Sequence, residues 1–122
     1  MTKRQIALLE RLELWFDANP HATALDAARD MRMPPEAARA VVNLGVSAGR
    51  LLLIGSEVYT RKGFDALYQL LHGKFGGEPF QPREMRETLG EGRVWVEYFA
   101  DVLSRKELLE REPGGWRLHQ VE

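Results

Sequence analysis

Three arginines lie close together around one turn in the second half of the sequence. Arg83 and Arg86 fall on a short predicted helix, and Arg93 begins the next helix after the turn Gly90-Glu91-Gly92. The free amide groups at a helix N-terminus attract anions, and guanidinium groups bind anionic oxygens through paired hydrogen bonds. The spacing therefore predicts a compact anion site at the start of this helix.

Acidic residues limit how a nucleic-acid duplex can lie on this site. Glu97 and Asp101 follow Arg93 at four-residue steps, so the three side chains share one face of the predicted helix. Because this acidic row repels a duplex along the whole helix, we expect an end-on contact. The corresponding helix of the first half begins with Pro34-Pro35-Glu36-Ala37, which suits phosphates poorly.

Residue types that support catalysis are missing or scattered. The sequence has no cysteine, which excludes disulfides, thiolate metal sites and cysteine nucleophiles. The three histidines show no metal-binding pattern, and the pairs Gly76-Gly77 and Gly114-Gly115 lack the context of a phosphate loop. Carboxylates and arginines alternate at helical spacing, as on solvated helix faces. We therefore expect no enzyme activity, metal or cofactor.

The aromatic residues fall mainly on apolar stripes. Exposed aromatic rings can stack on nucleobases, but rings at helical spacing indicate core packing. The core interpretation covers Trp15, Phe16, Phe64, Tyr68, Phe75, Trp95, Tyr98 and Phe99. Trp116 follows the turn Gly114-Gly115, so it either packs against the preceding helix or lies exposed.

Hydrophobic periodicity predicts the elements of the first half. A first helix ends near Asn19-Pro20, a short helix covers residues 24–31, and a third runs from Pro35 to about Ala48. Two strands, 51–54 and 57–60, follow around the turn Gly55-Ser56. The first helix carries Ile6, Leu9, Leu12 and Phe16, widened by Leu8 and Trp15, and the third carries Ala38, Val41, Val42 and Gly45.

The second half repeats this order. A helix ends at Gly76-Gly77, a short helix runs from Pro82 to Gly90, and a third covers about 92–106. Leu108 to Glu112 and Trp116 to Val121 form the second hairpin. At an offset of 57 residues, the positions of Ala38, Val41, Val42 and Gly45 are taken by Trp95, Tyr98, Phe99 and Val102.

The repeat predicts a mostly α-helical α+β protein with small β-hairpins. Three helices followed by a hairpin, twice over, are typical of tandem winged-helix domains, a form of helix-turn-helix fold. We place the first domain at residues 1–60 and the second at 61–122. A chain of 122 residues has room for two such small domains.

Charge and hydropathy exclude other classes of partner. The chain has 17 basic and 18 acidic residues, a net charge of −1, and neither half is basic. Any nucleic-acid contact must therefore come from a local cluster of arginines. The longest apolar run, Leu51 to Ile54, is too short for a membrane span, so we expect a cytoplasmic protein with no membrane contact.

The second repeat resembles the last winged helix of the selenocysteine-specific translation elongation factor SelB family. The resemblance is carried by Phe80, Arg86-Glu87, Leu89-Gly90, Arg93 and the closing Arg117-Leu118. Val94 stands where the family has a lysine. The first repeat, with Gly49-Arg50-Leu51 before a hairpin that ends at Val58-Tyr59, looks like the family's penultimate winged helix.

The resemblance implies binding of the messenger RNA hairpin that recodes a stop codon, the selenocysteine insertion element. The expected RNA-binding residues are Arg83, Arg86, Arg93 and Arg117, and the chain would serve as the C-terminal part of a factor whose GTP-binding part lies elsewhere. Two alternatives remain open from the sequence. The same fold serves DNA-binding transcription regulators, and it also serves protein-interaction modules that bind no nucleic acid.

Overall fold

The computed structural model describes residues 1–119, which divide between two compact units, Met1–Phe64 and Asp65–Glu122. Each described unit combines helices with one two-stranded antiparallel sheet. No helix within residues 1–119 is long and apolar enough to cross a membrane. The elements in chain order are α1 Lys3–Ala18, α2 Ala24–Asp30, α3 Pro35–Ser47, β1 Leu51–Ile54, β2 Glu57–Thr60, α4 Arg61–Phe75, α5 Pro82–Leu89, α6 Arg93–Arg105, β3 Leu109–Glu112 and β4 Gly115–Leu118.

Helix α1 supplies much of the core of the first unit. It begins at a capping box formed by Thr2 and Gln5 and buries Leu9, Leu12 and Phe16. Ile6 was expected on the same stripe, but its side chain is exposed. At about 100° per residue, Ile6 points roughly 90° away from the centre of the buried stripe. The core interpretation of Ile6 is therefore wrong.

The first hairpin has the predicted strands and turn. Leu51 pairs with Thr60 and Ile54 with Glu57, which leaves Gly55 and Ser56 as the two-residue connection. The Val58 amide donates to the Ala22 carbonyl at 2.8 Å, and an isolated β-bridge between Thr23 and Glu57 ties the segment before α2 to the hairpin. The predicted stripe of α3 is confirmed, because its buried residues are Ala38, Val41, Val42 and Gly45.

The second unit repeats the first from α2 onward at an offset of 58 residues. The offset joins the helix starts Pro35 and Arg93, and the strand starts Leu51 and Leu109. The predicted offset of 57 is wrong by one residue. The equivalents of Ala38, Val41, Val42 and Gly45 are the buried residues Val96, Phe99, Ala100 and Leu103.

Because the predicted offset is wrong by one residue, the predicted buried face of α6 is rotated by about 100° from the observed one. Tyr98, placed in the core by the shorter offset, is 49% exposed. Trp95 is half-buried and packs against Phe99 with 5.1 Å between ring centroids. Phe99 and Val102 are buried as expected.

Trp116 packs inside the second unit. Its side chain is buried, and its backbone exchanges two hydrogen bonds of 2.8 Å with Phe80, which form an isolated β-bridge beside this hairpin. Phe80 in turn stacks on Phe75 at 4.3 Å between ring centroids. The tight turn lies at Pro113-Gly114, one residue earlier than predicted, and β4 ends at Leu118. The predicted extension to Val121 lies outside the described residues.

Candidate nucleic-acid interface

The N-terminus of α6 is open to an external acceptor. Gly90 ends α5 in the left-handed conformation at φ 68°, which turns the chain sharply into α6. The N-cap residue Gly92 provides no side-chain cap, and the first turn of α6 holds no acidic residue. The amide groups of this turn therefore keep the partial positive charge of a helix N-terminus.

Helix α5 differs, because its own residues satisfy its N-terminus. The Gln81 amide donates to the Glu84 carboxylate at 2.7 Å, as one half of a capping box. This contact also engages the carboxylate of Glu84, which adjoins Arg83 in the sequence. The open helix end is thus that of α6.

A cleft of about 450 Å³ lies beside this helix end and brings three of the predicted residues together. Arg83 and Arg86 reach it from α5, and Arg93 reaches it from the first position of α6. Two short helices joined by a tight turn place these side chains around one opening. The other lining residues are Gln81, Pro82, Glu84, Val96 and Glu97.

The three arginines of the cleft differ in their partners. Arg83 forms an exposed ion pair with Glu87 at 3.7 Å, one helical turn away. Arg86, which is half-buried, and Arg93, which is exposed, make no ion pair with any other residue in 1–119. Two guanidinium groups therefore remain available to an anionic ligand at an uncapped helix N-terminus.

Arg117, the fourth predicted residue, lies on the wing. It is exposed on β4, opposite Glu110 of β3, and does not line the cleft. Glu110 is itself engaged, because its carboxylate lies 2.9 Å from the His119 imidazole. The structure thus gathers Arg83, Arg86 and Arg93 and leaves Arg117 on a separate element.

The first unit lacks the equivalent residues. Its α3 begins with Pro35 and carries Glu36 in the first turn, and this negative charge offsets the partial positive charge that would attract an anion to the helix end. The positions 58 residues before Arg83, Arg86, Arg93 and Arg117 hold Leu25, Ala28, Pro35 and Tyr59. The candidate anion site is therefore confined to residues of the second unit.

Comparison with known proteins identifies solved structures that match this chain at the level of the fold. No family model matches the sequence, and no curated protein matches it. The mRNA-binding domain of elongation factor SelB from E. coli, solved in complex with SECIS RNA, matches 98% of this chain and 100% of its own chain at a TM-score of 0.77 and 18% identity. This chain has the fold of that domain. The expected tandem winged-helix α+β architecture is thereby confirmed.

Within this SelB-like fold, one residue that contacts the acidic row beside the cleft was not predicted from the sequence. Arg111 on β3 contacts both Glu97 and Asp101, the two carboxylates of the acidic row on α6. Helical spacing cannot reveal a contact between a strand and a helix. The predicted hairpin offered a signal, because every second residue of β3 faces the same side of the sheet, and Leu109 of that set is buried.

Proposed function

We propose that this chain binds an RNA hairpin, with Arg86 and Arg93 at the N-terminus of α6 holding the phosphate backbone. The observation that carries the proposal is a pair of guanidinium groups that form no ion pair within residues 1–119 and lie beside an uncapped helix end. The match to a SelB domain solved with SECIS RNA supports an RNA ligand of the same kind. On this proposal the chain is a binding module and not an enzyme.

The geometry suits a compact anionic ligand. Phosphate oxygens accept hydrogen bonds from the α6 amides and from the forked donors of Arg86 and Arg93. Arg83 shares its charge with Glu87 and therefore contributes less, whereas Arg117 can meet a second phosphate from the wing. A hairpin loop presents several phosphates within a short distance, which matches an end-on contact better than a long duplex does.

The biological setting follows from the same reasoning. We propose that the ligand is the selenocysteine insertion element of a messenger RNA and that the chain acts as the C-terminal part of a SelB-type factor in the cytoplasm. The GTP-binding part of such a factor would then be the protein partner. The fold match and the sequence resemblance of the second repeat support this setting together.

A titration of a fluorescently labelled selenocysteine insertion hairpin tests the proposal. We expect Arg86→Ala and Arg93→Ala each to lower affinity about tenfold, as the loss of a charge-assisted hydrogen bond predicts. Arg29→Ala and Arg39→Ala remove exposed arginines from the first unit and serve as matched controls, which we expect to stay within twofold of the wild type.

Two outcomes would contradict this function. If Arg86→Ala and Arg93→Ala bind the hairpin as tightly as the wild type does, the cleft is not the RNA site. If a duplex DNA of equal length displaces the hairpin at equal concentration, the chain does not discriminate in favour of RNA. The second result would favour the DNA-binding alternative.

A further inference from the structure

A guanidinium from the wing covers the acidic row of α6. Arg111 on β3 places Nη2 against the Asp101 carboxylate and Nη1 at 3.9 Å from Glu97 Oε2. Its Nε donates to Ser104 Oγ at 3.1 Å, and its guanidinium carbon lies 5.7 Å from the centre of the Trp116 ring. One side chain thus contacts three successive positions on one face of α6.

This contact changes the charge that a ligand meets. Glu97 lines the same cleft as Arg86 and Arg93, and Asp101 follows one turn later. Without Arg111, these two carboxylates would stand uncompensated beside the proposed phosphate site. Both carboxylates are half-exposed, with 52% of each side chain accessible, so their field reaches a ligand at the helix end.

The contact is specific to the second unit. The positions 58 residues before Glu97, Asp101 and Arg111 hold Arg39, Asn43 and Leu53. The first unit therefore has neither the two carboxylates nor the arginine that covers them. The acids and their partner occur together in the unit that carries the anion site.

We propose that Arg111 is a positioning residue, which makes the α6 face compatible with RNA by neutralising Glu97 and Asp101. The inference rests on the proposed function, because it assigns Arg111 a role in the same RNA contact. Arg111 acts through the two carboxylates and not by direct contact with the ligand. This distinction gives the test its readout.

The same hairpin titration, at about 0.1 M salt, measures the effect. We expect Arg111→Ala to lower affinity about fivefold, since it uncovers two carboxylates on the face of α6 that begins at Arg93, and Glu97, the nearer one, follows Arg93 by one helical turn. The triple variant Arg111→Ala, Glu97→Gln, Asp101→Asn should return affinity to within twofold of the wild type. A merely structural role for Arg111 predicts no such recovery, because the triple variant also lacks the tie to α6.

Arg105→Ala is the matched control. Arg105 lies on α6 near the acidic row and is exposed. Its Nε donates to the Asp101 backbone carbonyl at 3.4 Å, and its guanidinium forms no ion pair with a carboxylate in residues 1–119. We expect its removal, which costs the same unit of charge, to change affinity by less than twofold. A loss equal to that of Arg111→Ala would show that net charge alone matters and would overturn the inference.

The failure of this inference differs from the failure of the proposed function. If the wild type does not bind the hairpin, the proposed function fails first. If the wild type binds and Arg111→Ala binds equally well, only the role of Arg111 is overturned. If Arg111→Ala weakens binding and the triple variant does not recover, Arg111 acts by direct contact or by fold maintenance, and the inference is also overturned.

Discussion

At the scale of single residues, the partner of each arginine decides what it can bind. Arg83 and Arg86 lie one turn apart on α5, yet Arg83 pairs with Glu87 and Arg86 has no ion pair in the described chain. Arg111 is held by two carboxylates and Ser104. Exposed ion pairs contribute little stability, so their main effect here is on the local field.

Gly45 lies where close packing leaves no room for a larger side chain. A Cβ atom there would lie 2.8 Å from Cδ1 of both Leu9 and Leu51, two fully buried core residues. Gly45→Ala gains about 1 kcal/mol of helix propensity and loses roughly 2 kcal/mol to overpacking, so we expect a net destabilisation of about 1 kcal/mol. Urea denaturation measures this difference.

Gly73 is the matched control for that measurement. It is exposed on α4, and an added Cβ would have no atom within 4 Å. We expect Gly73→Ala to stabilise the protein by roughly 0.5 kcal/mol through helix propensity alone. Equal shifts of the same sign for both variants would contradict the packing proposed around Gly45.

At the scale of elements, the short helix α2 depends on its cap. Thr23 and Asp26 form a reciprocal capping box, with the Thr23 amide donating to the Asp26 carboxylate at 2.9 Å and the Asp26 amide donating to Thr23 Oγ1 at 3.2 Å. We expect Thr23→Ala to lower the free energy of unfolding by about 1 kcal/mol. A thermal or urea melt of wild type and variant checks this value.

The same cap predicts how stability depends on pH. Hydrogen bonds from Thr23, chiefly the one from its backbone amide, lower the pKa of Asp26 below 3.8. This lowered pKa of Asp26 stabilises the folded protein above pH 3.8. The contribution is lost as the pH falls through the pKa that Asp26 has in the folded state. The stability advantage of wild type over Asp26→Asn should therefore shrink below pH 3.8.

Sequence patterns predict the order of the elements well. They predict where a helix ends better than they predict which face of a helix is buried. Gly49, Gly76 and Gly90 adopt the left-handed conformation at the predicted helix ends, because that conformation is strained for other residues. The predicted buried face of α6 was wrong because Trp95 and Tyr98 are large apolar residues, and periodicity alone assigns such residues to the core. A half-exposed aromatic residue satisfies the same pattern.

The candidate site shows the same division between local and distant contacts. Arg83, Arg86 and Arg93 were predictable because they lie within eleven residues of one another, around a turn that Gly90 defines. The contacts of Arg111 with Glu97 and Asp101 were not predicted, because they depend on how the wing packs against α6. Spacing within α6 does not contain that information, and the alternation of β3 places Arg111 on the same side as buried Leu109 without identifying the carboxylates that it contacts.

At the scale of the whole molecule, two repeats of one architecture carry different charges at equivalent positions. The net charge of −1 provides no general attraction to a polyanion. Arg86 and Arg93 have Ala28 and Pro35 as their counterparts in the first unit. Binding by the proposed mechanism is therefore local, and this has a measurable consequence in salt.

We expect RNA affinity to depend only weakly on ionic strength. Two to three phosphate contacts give a slope of log K against log salt concentration of roughly −1.4 to −2.7, since each contact releases about 0.7 to 0.9 counterions. Arg93→Ala should reduce the slope by about 0.7 to 0.9, and Arg39→Ala, in the first unit, should leave it unchanged. A wild-type slope of about −6 or steeper would mean that RNA contacts a much larger surface than the cleft of the second unit.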